Sequence, residues 1–371
     1  MNASLQSNAL FLNMSGNLPP KVPHVFNDAY RGAVGGVLAD FEPNDLIGAH
    51  QFRGSERDRC AGARFVARRL SEMPAPDRIV VANGTQSILL MLLASLVGRG
   101  RRLALESLSY PTLRSFADHL GFDLSPVPMD EEGALPDAFE AICRADRPAA
   151  YYAMPTLQNP TTGIMSVVRR QAIAEICRRY GIAIIEDDIY SLLPRDMPLP
   201  LSTFAPELSW YILGTAKSLA AALKVAYVVA PTAAAAAERF WPGVRATYWM
   251  CAPMNGSVVS KLIEIGHADR IIEAVRAETR ARQAIVAERL AGADLRTRPD
   301  CLHVWLSLPD SRPASDFVSE LRALGVEVST SSTYAMGDTR PPNAIRFGMG
   351  TPRDRADFER GLNTITKVYF K

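Results

Sequence analysis

The chain has 371 residues, of which 48% are hydrophobic and 22% are charged, so it is long enough to bury a large core and to exclude water from a site. Its formal net charge is +2 without a run of like charges, and no apolar stretch is long enough to span a bilayer, so neither nucleic acid nor a membrane is expected as a partner. The five cysteines and five histidines are scattered without metal-ligand spacing, which favours a reducing cytoplasm and argues against a metal site.

The first part of the chain, residues 1–55, is predicted to be an N-terminal arm that belongs to a small domain. It contains a turn-rich stretch, Asn13 to Pro20, and a helix at 24–38. The arm is too short for a separate winged-helix domain. A second helix is predicted at 55–73, with its arginines on a solvated face. These arginines are Arg57, Arg59, Arg64, Arg68 and Arg69.

Strands and helices alternate from about residue 77 onwards, within a predicted large domain at 56–250. The predicted strands lie at 79–82, 103–105, 124–128, 149–153, 182–186, 210–213 and 225–230. The predicted helices lie at 87–97, 112–120 and 169–180. This alternation is typical of an α/β protein in which a mostly parallel sheet lies between two layers of helices. Ligands of such sheets bind beyond the carboxyl ends of the strands.

The remaining residues, 251–371, are predicted to form a smaller C-terminal α+β domain. A long amphipathic helix at 257–290 is interrupted near Gly266. The other predicted elements of this domain are helices at 314–324 and from Asp354, and strands at 302–306, 326–329 and 344–347.

A lone lysine, Lys217, lies on a loop between two apolar strands. Such a position suits an amine held in a partly desolvated pocket, where the loss of water lowers its pKa and allows it to form a Schiff base with an aldehyde. The alternative is a lysine at a strand end that extends its ammonium group into solvent.

Three further groups of polar residues lie near strand ends. Gly84-Thr85-Gln86 marks a turn from a strand into a helix, where backbone N–H groups can bind a phosphate, although an ordinary helix start has the same pattern. Asn159 places an amide before a rigid turn. Glu186, Asp187 and Asp188 end an apolar strand, and acids in such a position need a cationic partner when they are buried.

Together with Lys217, these residues resemble the fold type I pyridoxal-phosphate (PLP) enzymes of the class I aminotransferase group. The chain is most similar to the aminotransferase-like domain of MocR-type proteins, from about Asn13 to its C-terminus. The segment 245–253 also resembles the MocR group. The most specific pieces are Tyr-Pro-Thr at 110–112, Pro-Thr-Leu-Gln-Asn-Pro-Thr-Thr at 155–162, Ile-Glu-Asp-Asp-Ile-Tyr at 185–190, Lys217, and Asn-Ala-Ile-Arg-Phe at 343–347.

The resemblance implies a role for each residue. Lys217 would hold PLP as a Schiff base and move the substrate α-proton, and Asp187 would pair with the pyridine nitrogen. Tyr190 would hydrogen-bond the phenolic oxygen of the ring, with Asn159. The other implied cofactor-binding residues are Gly84, Thr85, Gln86, Tyr110, Thr215 and Lys224. The implied substrate-binding residues are Asn17, Asn159 and Arg346, with Arg346 on the α-carboxylate.

Three positions depart from the pattern of this family. Lys224 stands where most members have a phosphate-binding arginine, and it lacks the fork of a guanidinium. Gly214 stands where many members have serine or threonine, with Thr215 next to it as a substitute. Ala49 stands where many relatives have a tyrosine that contacts the partner subunit's phosphate. These departures predict a phosphate site with fewer donors than usual.

The function predicted from these residues is that of a cytoplasmic, homodimeric, PLP-dependent aminotransferase. It would move an amino group between an α-amino acid and a 2-oxo acid. Two alternatives stay open. One is a PLP-dependent lyase on the same scaffold, which would turn over without an acceptor. The other is a PLP- or amine-sensing module of a MocR-type regulator, whose DNA-binding domain would find no room in this chain.

Overall fold

The computed structural model describes residues 11–371. Within this range the strands are β1 (Leu12–Asn13), β2 (Ile79–Ala82), β3 (Arg102–Glu106), β4 (Asp123–Val127), β5 (Met129–Asp130), β6 (Gly133–Ala134), β7 (Ala150–Ala153), β8 (Ala183–Asp187), β9 (Ser209–Gly214), β10 (Ala226–Val229), β11 (Leu295–Arg296), β12 (His303–Ser307), β13 (Val326–Glu327), β14 (Ser329–Thr330) and β15 (Ala344–Gly348). The α-helices are α1 (Pro23–Asp40), α2 (Pro43–Ile47), α3 (Glu56–Val66), α4 (Gly84–Leu92), α5 (Thr112–Leu120), α6 (Pro136–Asp146), α7 (Val167–Tyr180), α8 (Ala233–Ala235), α9 (Trp241–Thr247), α10 (Pro253–Glu264), α11 (His267–Arg289), α12 (Ala314–Ala323) and α13 (Arg355–Tyr369).

The core of the larger part is a seven-stranded sheet with the order β2-β10-β9-β8-β7-β3-β4. Its strands are parallel except for β10, which is antiparallel to both of its neighbours. Strands β2, β7, β9 and β10 are buried at every position, as expected of a sheet that is covered on both faces. The predicted three-layer, mostly parallel α/β architecture is confirmed.

The reversed direction of β10 follows from the loop that carries Lys217. Strands β9 and β10 are joined by residues 215–225, which contain only a short 3-10 turn at Ala221–Leu223. A parallel pair needs a crossover of a dozen or more residues, usually a helix, so this short connection returns the chain antiparallel beside β9. Lys217 is therefore held just beyond the carboxyl end of β9.

Helix α3 is shorter than the sequence pattern predicts. Ser55 caps it, accepting a hydrogen bond from the Asp58 N–H at 3.1 Å, and the helix ends at Val66. The prediction of a solvated face is wrong for Arg69, which is 8% exposed and turns inward to Asp188. A side chain beyond the helix end no longer follows the helical period, so the period cannot place it.

The smaller part contains a four-stranded sheet with the order β11-β12-β15-β14, packed with α11, α12 and α13 around a separate apolar cluster. The first described residues join this part, because β1 pairs with β13 and the Gly348 N–H donates to the Met14 carbonyl at 2.7 Å, whereas the buried residues of α1 pack into the larger apolar core. A Cβ atom on Gly348 would lie 1.9 Å from the Gly16 carbonyl oxygen, so only glycine permits this approach. None of the helices between residues 11 and 371 has the length and apolar character needed to cross a membrane.

Candidate active site

A cavity of about 470 Å³ opens beyond the carboxyl ends of the large sheet, between the sheet, the N-terminal arm and the smaller part. The structure brings together here nearly all of the residues that the sequence singled out. They are Asn17, Gly84, Thr85, Gln86, Tyr110, Asn159, Asp187, Tyr190, Lys217, Lys224 and Arg346. Thr215 is the exception: it is buried beside the cavity and its hydroxyl donates to the Val225 carbonyl at 2.8 Å. Its hydroxyl is thus not presented to a ligand.

Lys217 lies in the cavity wall, and its Nζ donates to the main-chain oxygen of Asn17. Burial and the positive charge of Arg346 together lower the pKa of Lys217 to about 8, while the negative charge of Asp187 acts in the opposite direction. A lysine with this pKa has an appreciable unprotonated fraction near neutral pH. It can therefore act as a nucleophile and as a base.

Asp187 ends β8 and is 3% exposed. Its Oδ2 accepts a hydrogen bond from the Tyr152 hydroxyl at 3.0 Å, and its Oδ1 has no hydrogen-bond partner among residues 11–371. Burial raises the pKa of Asp187 to about 7, although Tyr152 and Lys217 lower it. A carboxylate in this setting gains most from a cationic partner that enters the cavity.

The two acids on either side of Asp187 already have partners. Asp188 accepts from Arg69 Nε at 3.2 Å and from the Tyr211 hydroxyl at 2.9 Å. Glu186 accepts from the main-chain N–H groups of Leu201 and Ser202 at 2.9 and 2.7 Å, and lies 3.8 Å from Arg170. The sequence argument that buried acids need cations thus holds for these two. Of the three acids, Asp187 faces the cavity.

The first turn of α4 has free N–H groups at the edge of the cavity, since Asn83 makes no side-chain cap there. Lys224 lies over this turn: a Cβ atom on Gly84 would lie 3.5 Å from Lys224 Cδ. The Thr85 hydroxyl has no hydrogen-bond partner among residues 11–371. A Cβ atom on Gly214 would lie 2.7 Å from that hydroxyl. Gly214 therefore makes room for the Thr85 hydroxyl, which is buried at the cavity edge and, in contrast to the Thr215 hydroxyl, makes no hydrogen bond within residues 11–371.

Arg346 lies on β15 at the opposite side of the cavity and is 4% exposed. It donates through Nη1 to Asn159 Oδ1 at 3.0 Å and through Nη2 to the main-chain oxygen of Ser15. Its guanidinium carbon lies 5.2 Å from the centroid of the Tyr334 ring, which orients the planar group. These contacts leave some of its N–H groups free for a carboxylate.

Several residues that line the cavity or hold its side chains were not predicted from the sequence. Tyr152 belongs to an apolar strand in which every residue is buried, so the pattern marks it only as core, and Ser15 contributes a main-chain carbonyl, which no side-chain pattern can reveal. Tyr334 lies in a polar stretch without periodicity. Tyr110, which was predicted, accepts a hydrogen bond from Gln86 Nε2 at 2.9 Å and is half-buried at the cavity edge.

The chain matches the family model of class I and II aminotransferases over residues 45–365. It is 29% identical to the uncharacterised HTH-type transcriptional regulator YdeF of Bacillus subtilis over 79% of this chain and 63% of that protein. It is 27% identical to a 2-aminoadipate transaminase of Thermus thermophilus over 63% of this chain and 61% of that protein. The chain thus spans less than two thirds of the length of these relatives.

Among solved structures, the chain is similar to LysN, an α-aminoadipate aminotransferase of Thermus thermophilus, with a TM-score of 0.85 and 22% identity over 98% of this chain and 92% of that one. This likeness shows the fold type I architecture, and the match to the family model covers most of the chain. The chain therefore belongs to the class I and II aminotransferase family, which is PLP-dependent.

Proposed function

We propose that this protein is a PLP-dependent aminotransferase that moves an amino group from an α-amino acid to a 2-oxo acid. The observation that carries the proposal is the buried Asp187 carboxylate, whose Oδ1 lacks a partner in the described part of the chain, in one cavity with the Lys217 amine. A buried carboxylate and an amine that is partly unprotonated near neutral pH are the two groups that this chemistry needs from the protein.

The residues of the cavity fit the cofactor. The unpaired Asp187 oxygen suits the protonated ring nitrogen, and the free first turn of α4, the unpaired Thr85 hydroxyl and Lys224 suit the phosphate. Tyr110 would pack against the ring. When bound, PLP supplies an aldehyde that joins an amine covalently and a ring that withdraws electrons from the bonds at the substrate Cα.

The residues of this chain would then carry out three tasks. Asp187 would stay ionised and hold a proton on the ring nitrogen, because a cation beside it lowers its pKa again. Lys217, displaced by the incoming amine, would act as the base that takes the proton from the substrate Cα and as the acid that gives the proton back. Arg346 would hold the α-carboxylate, which sets the Cα–H bond toward Lys217.

The test uses purified protein saturated with PLP. We expect a visible absorption band, and borohydride reduction is expected to fix PLP on the peptide that contains Lys217. Addition of an amino acid alone is expected to bleach the band, and addition of a 2-oxo acid is expected to restore it. The Lys217→Ala variant is the matched control and is expected to fix no PLP. An adduct on another lysine would contradict the assignment.

A second candidate function, a PLP- or amine-sensing module, is supported by the similarity to HTH-type regulators such as YdeF. A sensor would bind PLP and change its spectrum with an amine, yet it would not regenerate the starting spectrum with any 2-oxo acid. The same experiment therefore separates the two functions. Turnover of the amino acid without an acceptor would instead indicate a lyase.

A further inference from the structure

His303 is a buried residue next to the cavity to which the sequence analysis gave no role. It is the first residue of β12, and its relative exposure is 0%. The centroid of its ring lies 5.8 Å from that of the Tyr190 ring, and the two planes are tilted by 56°. A polar ring buried at this place needs hydrogen-bond partners on both nitrogens.

The partners of His303 determine its tautomer. Nε2 lies 3.3 Å from the main-chain oxygen of Gln158, which can only accept, so Nε2 carries the hydrogen. Nδ1 then offers a lone pair to Asn17 Nδ2 at 3.0 Å, and the Cys301 Sγ lies 3.5 Å from the same nitrogen. The opposite orientation of the Asn17 amide would set its oxygen against that lone pair. His303 thereby fixes the orientation of the amide.

The groups around this contact keep one protonation state near neutral pH. Burial and the positive charge of Arg346 hold the pKa of His303 well below its usual value, and Lys217 adds to this effect. Burial raises the pKa of the Cys301 thiol to about 12 and raises the pKa of Tyr190 above its usual value. The imidazole is therefore neutral, and the thiol and the phenol keep their hydrogens.

The fixed amide has a consequence for Tyr190. Asn17 Nδ2 gives one hydrogen to His303 and the other to the Tyr190 oxygen at 2.8 Å. The Tyr190 hydroxyl thus receives a hydrogen bond, and its own hydrogen has no acceptor among residues 11–371. We propose that His303 is a positioning residue that, through Asn17, keeps Tyr190 a donor toward the phenolic oxygen of PLP. This inference rests on the proposed function.

Loss of the His303 acceptor would free the Asn17 amide to turn. Its oxygen would then accept the Tyr190 hydrogen, which would no longer reach the phenolic oxygen of the cofactor. A donor on that oxygen withdraws negative charge from the neighbourhood of the Lys217 nitrogen that is joined to PLP. Its loss therefore stabilises the protonated form of that nitrogen and raises the pH at which it loses its proton.

The experiment is a pH titration of the visible absorption of the PLP-loaded protein. For His303→Leu we expect the midpoint to rise by about one pH unit. His303→Asn places an amide oxygen near the position of Nδ1 and keeps an acceptor for Asn17, so its midpoint is expected within about 0.3 units of wild type. In a Tyr190→Phe background, His303→Leu is expected to add no further shift.

The outcomes separate the possible failures. A visible band whose midpoint is the same in wild type and His303→Leu overturns the positioning role alone, as does an equal shift in the Tyr190→Phe background. Absence of any band from the wild type overturns the proposed function together with this inference. A readout without cofactor is the ¹⁵N NMR spectrum of labelled histidine: His303 is expected as the neutral Nε2–H tautomer between about pH 6 and 9. A protonated ring in that range also contradicts the proposal.

Discussion

Lys217 and Arg346 are linked by charge across the cavity, because Arg346 helps to lower the pKa of Lys217 to about 8. The free amine is the form that reacts with an aldehyde, so the rate of PLP capture by the apo protein is expected to rise with pH and to level off above about pH 8. In Arg346→Gln the amine keeps its proton more strongly, and the midpoint is expected to move to higher pH. Stopped-flow absorbance measures this rate.

The control for this charge effect is Arg64→Gln, since Arg64 is exposed on α3 away from the cavity. Its pH profile is expected to match that of the wild type. A profile of Arg346→Gln that moves to lower pH would have the wrong sign for the loss of a positive charge and would contradict the link.

Asp187, which the proposed reaction needs, is expected to lower the stability of the apo protein. Its pKa is raised from 3.8 to about 7 in the folded protein, so the apo protein loses stability as pH rises between these values. Asp187→Asn keeps an acceptor for Tyr152 and has no charge to bury. At pH 8 we expect apo Asp187→Asn to unfold with a free energy about 1–3 kcal/mol higher than that of the wild type, measured by urea denaturation.

The same substitution is expected to slow the half-reaction with an amino acid by at least about tenfold, because a neutral amide cannot hold a proton on the ring nitrogen. Single-turnover absorbance measures this rate. An unchanged rate would contradict the pairing of Asp187 with the ring nitrogen, and a loss of stability in the apo protein would show that Asp187 has its ion partner within the protein.

The sequence predicted most of the individual residues of the cavity because their chemistry is carried by side chains at strand ends. It could not distinguish Thr85 from Thr215 as the hydroxyl beside the proposed phosphate site, since that choice depends on the space at Gly214, where a Cβ atom would lie 2.7 Å from the Thr85 hydroxyl. It also missed His303, because a lone histidine in an apolar strand has the same pattern as a core residue. The catalytic and binding roles of the predicted residues stay predictions.

Substitutions at the end of β9 and at the start of α4 are expected to have non-additive effects on PLP binding. Gly214→Ser would place its side chain against the Thr85 hydroxyl, so we expect the dissociation constant for PLP to be about tenfold higher. Thr85→Ala removes the hydroxyl and is expected to have a similar effect. In the double variant of Gly214→Ser and Thr85→Ala, the hydroxyl comes from β9 in place of α4. Its dissociation constant for PLP is expected to be within about threefold of the wild-type value. Equilibrium dialysis measures these constants, and additive losses in the double variant would contradict the exchange.

The contact between the residues after α3 and the end of β8 is expected to be structural. Arg69 and Asp188 are 8% and 0% exposed, so Arg69→Met leaves a buried carboxylate without its cation. We expect a loss of about 3–5 kcal/mol in the free energy of unfolding. The matched control is Arg64→Met on the exposed face of α3, with an expected change below about 0.5 kcal/mol. Equal effects of the two variants would show that the ion pair contributes nothing.

The order of the strands and helices could be predicted more accurately than the strand directions and the ends of the elements. The strands of the large sheet are apolar runs separated by clear turns, so their positions were found to within a few residues. Helix α6 was missed because only Phe139 and Cys143 are buried along it, and two apolar positions do not make a visible period. The antiparallel direction of β10 depends on loop length and on pairing partners, which an apolar run does not encode.

For the molecule as a whole, the predicted homodimer has a candidate surface. Tyr248 and Trp249 are 60% and 46% exposed, and Met250 bridges to Ala82 next to the start of α4. His50 packs edge-on against Tyr248 with ring centroids 5.0 Å apart. Two large exposed aromatic side chains near the proposed phosphate site are typical of a surface that a second subunit covers.

We expect light scattering to give a dimer that retains PLP. The double substitution of Tyr248 and Trp249 by serine is expected to yield monomers that lose PLP on dilution. Phe370→Ser is the control, because Phe370 is 54% exposed at the C-terminal end of the smaller part. A wild-type monomer that holds PLP would contradict the dimer, and equal dissociation by the control would contradict the assigned surface.

The arm that closes the cavity also sets an order of events during synthesis. Its Ser15 and Asn17 carbonyls accept hydrogen bonds from Arg346 and Lys217, and Met14 accepts one from Gly348. The arm leaves the ribosome long before β15 is made, so its hydrogen bonds with β15 cannot form while the large sheet folds beside it. The pocket can close only after β15 has emerged, and we expect nascent chains that stop before β15 to have an arm open to proteases and no capacity to retain PLP.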